Sequence, residues 1–141
     1  MNVWALGEHL PDLLVVPGQR MVVATTMPDG QPHLTVVWYG FVDDGRIAFT
    51  VRSQSVKARN LARDPRLTVL VDTGTTHGEL RGVQIAGRAV LDNSPATKRL
   101  VHESVAGRYS TKATADVDRT MAKRLAVLVE PITIRSWDHR R

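Results

Sequence analysis

The residues best suited to chemistry lie in the segment Thr50–Arg66, which reads TVRSQSVKARNLARDPR. A β-strand is predicted to end at Arg52, and a short helix to begin near Ser55, which can cap it. The start of a helix carries unpaired N–H groups and a partial positive charge, and both attract anions. Arg52, Ser55 and Lys57 add charge-assisted hydrogen-bond donors at the same place. The segment predicts a phosphate site, and the alternative is a basic, solvated helix with a capping serine.

A second candidate surface is the strand that follows the turn Met27–Gly30. His33, Thr35 and Val37 alternate along this strand and share one of its faces. The Thr35 hydroxyl and the neighbouring backbone have the groups needed to hydrogen-bond the edge of a flat heterocycle. The alternative is an ordinary strand with a polar outer face.

Other catalytic and metal-binding arrangements lack support in the sequence. The chain has no cysteine, and its five histidines are scattered without the spacing of metal ligands. The serines lack the flanking glycines of a nucleophile elbow. The string GVQIAG at Gly82–Gly87 has the wrong glycine spacing for a nucleotide-binding loop. We therefore predict no metal site, and no nucleophile elbow is visible.

Charge and hydropathy indicate the class of partner. Lysine and arginine number 19 against 14 acidic residues, which gives a net charge of +5 and favours anionic ligands. The sequence has no zinc finger, no helix with a dense basic face and no aromatic-rich strand for stacking bases. A phosphorylated small molecule is thus preferred to nucleic acid. No targeting segment and no apolar run of about 20 residues is visible, so we expect a soluble, cytoplasmic protein.

Hydrophobic periodicity predicts six strands and three or four helices. The predicted strands are Arg20–Thr26, His33–Val42, Arg46–Arg52, Leu67–Val71, Leu80–Leu91 and Leu125–Trp137. The predicted helices are Ser55–Arg63, Ala96–Gly107 and Asp116–Lys123. Pro131 within the last strand implies an edge, a bulge or a break.

This order of elements predicts a mainly β (α+β) protein with one domain over residues 1–141. Consecutive hairpin-like strands favour an antiparallel sheet, since crossover helices are missing between most of them. The sheet is long enough to close into a barrel, which removes exposed edges.

Four stretches in this order resemble the pyridoxamine 5′-phosphate oxidase-like split-barrel superfamily, and more narrowly its flavin/deazaflavin oxidoreductase branch, which includes enzymes that use coenzyme F420. The stretches are VATTMPDGQPHLTVVWY, DDGRIAFTV, SVKARNLARDPRLTVLVD and RLAVLVEPITIRSW. The run Lys-x-x-Asn-Leu-x-x-Asp-Pro-Arg at Lys57–Arg66 is the most specific element. The resemblance implies a six-stranded antiparallel split β-barrel of the FMN-binding type, with flanking helices.

The resemblance also implies a site and a function. The cofactor would be coenzyme F420, with FMN as the alternative, and the activity would be hydride transfer between the deazaflavin and a small organic substrate. An FMN-dependent oxidase or reductase and a non-catalytic flavin-binding protein remain alternatives. A homodimer is implied, with its two cofactor sites at the interface. The implied cofactor-binding residues are His33, Thr35, Val36, Val37, Thr50, Val51, Arg52, Ser55 and Lys57.

Overall fold

The computed structural model describes residues 10–109 and 116–140 of the chain. Within these ranges, seven strands form one antiparallel sheet with helices on its outside. The strands are β1 Met21–Thr26, β2 Pro32–Val37, β3 Gly40–Phe41, β4 Ile47–Arg52, β5 Arg66–Thr73, β6 Arg81–Asp92 and β7 Arg124–Asp138. The helices are α1 Leu10–Val15, α2 Val56–Arg63, α3 Pro95–Arg108 and α4 Val117–Met121, and a 3₁₀ turn spans His77–Glu79. The predicted mainly β antiparallel fold is confirmed.

The strand order is β2-β1-β5-β6-β7-β4-β3, so β2 and β3 are the two edges of the sheet. These edges are consecutive in the chain and are joined only by Trp38 and Tyr39. The sheet must therefore curl until its edges approach each other, which leaves a split between β2 on one side and β3 and β4 on the other. This is the split barrel that the resemblance implies.

The strand count differs from the prediction because the expected strand His33–Val42 is two strands. β2 pairs with β1, whereas β3 pairs with β4. The break lies at Trp38 and Tyr39, where the Tyr39 side chain is fully buried and its hydroxyl donates a hydrogen bond to Leu14 O at 2.6 Å. Both pieces alternate with period two, so the sequence pattern alone cannot reveal that the chain changes partner here.

The core fills the inside of the curled sheet. The inward residues of β5, Leu67, Val69 and Val71, are buried as their alternation predicts. The inner faces of β1, β4, β6 and β7 complete this cluster, and α1 and α2 close it. A second cluster forms where α3 covers the outer face of β4 and β7, and it contains Ala48, Val101, Ala126 and Leu128. Strands β4 and β7 are therefore buried on both faces where α3 lies.

The two glycines of the GVQIAG string have structural roles in β6. A Cβ at Gly82 would lie 2.3 Å from the Trp137 ring, and one at Gly87 would lie 2.1 Å from Glu130 O. Gly87 lies opposite Pro131 at the register shift between β6 and β7. The bulge, one of the three outcomes expected from Pro131, is thus confirmed.

No described helix is long and apolar enough to cross a membrane.

Candidate functional site

A cleft of about 450 Å³ opens in the split between the end of β2 and the end of β4. It brings together most of the site residues predicted from the sequence, namely Val36, Val37, Thr50, Val51, Arg52, Ser55 and Lys57. Further lining residues come from the β2–β3 link, α3 and β7, and they are Trp38, His102, Val105 and Arg124. The strand ends and the start of α2 therefore meet at one place, as the phosphate-site hypothesis requires.

Two predicted residues do not line this cleft. His33 and Thr35 lie further back on β2, opposite Thr25 and Val23 of β1. Their Nδ1 and Oγ1 atoms are buried and have no hydrogen-bond partner among the residues that the structure describes. The structure therefore puts the end of β2, and not its beginning, at the cleft wall.

Ser55 and Lys57 hold their places through the local structure of α2. Ser55 is the N-cap, with extended backbone angles, and its Oγ accepts a hydrogen bond from Ala58 N at 3.1 Å. Its N–H donates to Arg52 O at 3.0 Å, which closes the turn between β4 and α2. Because a hydroxyl can accept and donate at once, the Ser55 proton remains available to a ligand oxygen.

Arg124 is the charged residue of the cleft that sequence reasoning missed. Its Nε donates to Thr50 Oγ1 at 2.9 Å, and its Nη2 donates to Thr50 O at 3.0 Å. Arg124 also lies directly opposite Arg52 in the β4–β7 ladder. The only signal in the sequence is an arginine just before the predicted strand Leu125–Trp137, and nothing there reveals that this strand pairs with β4.

The cleft has an excess of positive charge. Burial, followed by the charge of Arg124, lowers the pKa of Lys57 below its usual value. Burial, followed by the charge of Arg52, lowers the pKa of Arg124. Like charges directly opposite on adjacent strands destabilise a sheet. No aspartate or glutamate is among the described residues that line the cleft, so the three cations favour an anionic ligand.

A larger cavity of about 950 Å³ adjoins the cleft and shares six of its lining residues: Trp38, Thr50, Arg52, His102, Val105 and Arg124. Its far wall is apolar where Ala106 and Met121 lie, and basic where Lys123 lies. The Trp38 ring stacks on Tyr109, with centroids 4.6 Å apart and planes 9° apart. His102 of α3 lines both cavities.

The specific run Lys57–Arg66 has mainly a structural role. Asn60 is buried, and its Nδ2 donates to Thr25 Oγ1 at 3.0 Å, which fixes α2 to β1. Arg63 donates to Thr26 O and to Asn60 Oδ1. Neither Arg59 nor Arg63 lines the cleft or the larger cavity. Of this run, only Lys57 faces the cleft.

Solved structures share this architecture. A conserved hypothetical protein from Mycobacterium tuberculosis is 40% identical, and the match covers 92% of this chain and 82% of that one with a TM-score of 0.84. An F420 reductase is 22% identical over 92% of this chain and 98% of its own, with a TM-score of 0.73. General stress protein 26 from Bacillus anthracis is 19% identical over 92% and 94%, with a TM-score of 0.64.

The family model described as pyridoxamine 5′-phosphate oxidase matches residues 15–138, which include every strand of the sheet and every residue of the cleft. Because that match spans most of the chain, the protein belongs to the pyridoxamine 5′-phosphate oxidase family, whose split barrel binds flavins and whose members include oxidoreductases.

Proposed function

We propose that the cleft binds the phosphate of a flavin-type cofactor and that the protein is a coenzyme F420-dependent oxidoreductase acting on a small organic substrate. The observation that carries this proposal is the meeting of Arg52, Lys57 and Arg124 at one cleft whose described lining contains no carboxylate. Each cation is desolvated or faces another cation, so an anion would remove an electrostatic cost as well as form hydrogen bonds.

The residues of the cleft suit such a cofactor. Arg52, Ser55, Lys57 and Arg124 would hold the phosphate, because two guanidinium groups, an ammonium and a hydroxyl supply donors around one volume. The apolar side chains and backbone at the end of β2 and of β4 would contact the ring system. When bound, the cofactor supplies the hydride chemistry, and the protein supplies orientation and exclusion of water.

The preference for coenzyme F420 over FMN follows from the length of the basic surface. Positive side chains continue from Lys57 through Arg52 and Arg124 to Lys123, at the wall of the larger cavity. A cofactor with an anionic tail beyond its phosphate uses this whole surface, whereas a single phosphate uses only the part at the cleft. The shared fold of a protein named F420 reductase supports the same choice.

The larger cavity would receive the organic substrate. Trp38, Val105, Ala106 and Met121 give it an apolar wall, and a wall of this kind binds flat organic molecules and excludes water. We assign no catalytic acid or base, because hydride transfer to an electron-poor acceptor does not require one.

We also propose that the protein is a homodimer with the cofactor site at the interface. The outer face of β2 carries Leu34 and Val36, which are 64% and 56% exposed. Trp38 continues this apolar face toward the cleft and is 49% exposed. A second copy that covers the face would therefore also border the cleft.

Direct titration tests the function. Purified protein is titrated with coenzyme F420 and, separately, with FMN, and binding is followed by cofactor fluorescence. Tighter binding of coenzyme F420 is the expected result, with Arg52→Ala weakening it and the exposed Arg59→Ala on the same chain segment leaving it unchanged. Equal or tighter binding of FMN would favour an FMN-dependent enzyme. Binding of neither cofactor by the wild type would refute the proposal.

A further inference from the structure

The most unusual buried group outside the cleft is the ammonium of Lys98 in α3. Lys98 is only 6% exposed, and the other buried polar residues of the described chain, Thr25 and Asn60, are uncharged. Its Nζ donates to Asn93 Oδ1 at 2.9 Å, to Met121 O at 3.0 Å and to Arg124 O at 3.2 Å. The positive charge is thus held by three neutral oxygens.

Two of these acceptors bracket the segment Met121–Arg124. This segment joins the end of α4 to the start of β7, and all four of its residues line the larger cavity. Ser53 N also donates to Lys123 O at 2.8 Å, and Arg124 pairs with Arg52 in the β4–β7 ladder. Lys98 and Ser53 therefore fix the backbone of the segment from two sides, Lys98 from α3 and Ser53 from the loop after β4.

We infer that Lys98 is a positioning residue for the anion site and acts through Arg124. The main-chain carbonyl of Arg124 accepts from Lys98 while its guanidinium donates to Thr50 at the cleft. Arg124 is therefore held through both its main chain and its side chain. The Lys98 contact sets the position of the backbone from which the guanidinium extends. This inference rests on the proposed function for its ligand, but the positioning of Arg124 is a separate property.

The choice of lysine at this place has a physical reason. A buried ammonium without a carboxylate is costly unless strong hydrogen bonds satisfy it. The three donors of the ammonium match the three oxygens, and the four-carbon stem lets α3 reach the segment from the side. A neutral apolar residue of the same length would fill the space but would leave two main-chain carbonyls without their donor.

The test compares Lys98→Met, which keeps the length and removes the donors, with Lys98→Arg, which keeps the charge. The matched control is Ser104→Ala, which removes the hydrogen bond from Phe41 N to Ser104 Oγ on the same helix but does not touch the segment. Two quantities are measured: the affinity for inorganic pyrophosphate by calorimetry, and the rate of solvent exchange of the Arg124 Nε–H by NMR. The Nε–H signal of Arg124 is assigned as the one that disappears in Arg124→Lys.

We expect Lys98→Met to weaken pyrophosphate binding at least tenfold and to speed exchange of the Arg124 Nε–H. Lys98→Arg should recover the affinity to within about threefold, and Ser104→Ala should change neither quantity. A folded Lys98→Met with wild-type affinity and exchange would overturn the inference.

If Lys98→Met does not fold, Lys98→Leu, which also lacks a donor, replaces it, and unchanged exchange in that variant would also overturn the inference. If the wild type binds neither coenzyme F420 nor FMN but Lys98→Met still speeds exchange, the positioning role stands and the proposed function fails.

Discussion

Arg52 and Arg124 stand opposite each other across β4 and β7, and Lys57 reaches the same cleft from α2. A protein selected for stability alone would place a carboxylate among three cations, since like charges repel and buried charges lose hydration. The described lining of the cleft has none. At the scale of single residues, the site is therefore a local electrostatic cost that an anionic ligand would remove.

The first prediction concerns Lys57. We expect Lys57→Ala to weaken cofactor binding by about ten- to a hundredfold, because a charge-assisted contact contributes roughly 1.5–3 kcal/mol. The melting temperature should stay the same or rise slightly, since the variant removes a desolvated cation that faces Arg124. Titration and a thermal melt measure the two effects. Unchanged affinity would mean that Lys57 is only a helix residue, and a collapsed melting temperature would mean that its role is structural.

The lowered pKa of Lys57 predicts a dependence on pH. Burial and Arg124 disfavour its charged form in the free protein, so between the lowered pKa and 10.5 the native state binds fewer protons than the unfolded state. The contribution of Lys57 to the free energy of unfolding therefore increases with pH across that interval. A bound anion favours the charged form, so binding should take up protons there, and affinity should fall as pH rises. Calorimetry in buffers of different ionisation enthalpy measures the uptake, which should vanish in Lys57→Ala.

At the scale of elements, Asn60 is the buried polar side chain that ties α2 to the sheet. Asn60 donates to Thr25 Oγ1 of β1 and accepts from Arg63, while Leu61 enters the core beside it. The helix therefore cannot rotate about its axis without breaking these contacts. Because Ser55 and Lys57 precede Asn60 on the same short helix, this anchor also orients the phosphate donors.

We expect Asn60→Ala to lower the free energy of unfolding by about 2 kcal/mol. The substitution leaves the buried Thr25 hydroxyl without its donor and opens a small cavity under α2. Urea denaturation measures the loss, with the exposed Arg59→Ala as the control, for which we expect a change within about 0.5 kcal/mol. Equal stability of the two variants would show that Asn60 does not anchor the helix.

At the scale of the whole molecule, the curled sheet assembles the site from distant parts of the chain. Arg124 and its partner Thr50 are 74 positions apart in the sequence. The two meet because β7 pairs with β4, and Val36 joins them because the edge strand β2 returns to the split. The cleft exists only when all of these pairings form together, so cofactor binding should be lost with global unfolding.

The proposed dimer is tested at the apolar face of β2. We expect Leu34→Glu to convert the dimer to a monomer, because it places a charge on a face that a second copy would cover. Light scattering at micromolar concentration gives the mass. Leu100→Glu is the matched control, since Leu100 is an exposed leucine that belongs to α3 and not to β2. A wild-type monomer at this concentration would contradict the proposal.

The sequence by itself determined most of the local structure. Period-two alternation and turn residues located most of the strands to within one or two residues, and the predicted helix Ser55–Arg63 matches α2 to within one residue. These features follow from interactions between residues close in sequence, which a linear pattern records. The same local reasoning placed Arg52, Ser55 and Lys57 together, because they lie within six consecutive positions.

Only the tertiary structure decided the rest of the site. The break at Trp38 and Tyr39, the Arg52–Arg124 pair and the turn of His102 toward the cleft all depend on which strands and helices pack together. The register of non-local strands is set by burial across the whole sheet, and no short window of sequence contains both partners. For the same reason, no local sequence pattern marks Lys98, which meets the carbonyls of Met121 and Arg124 only in the folded chain.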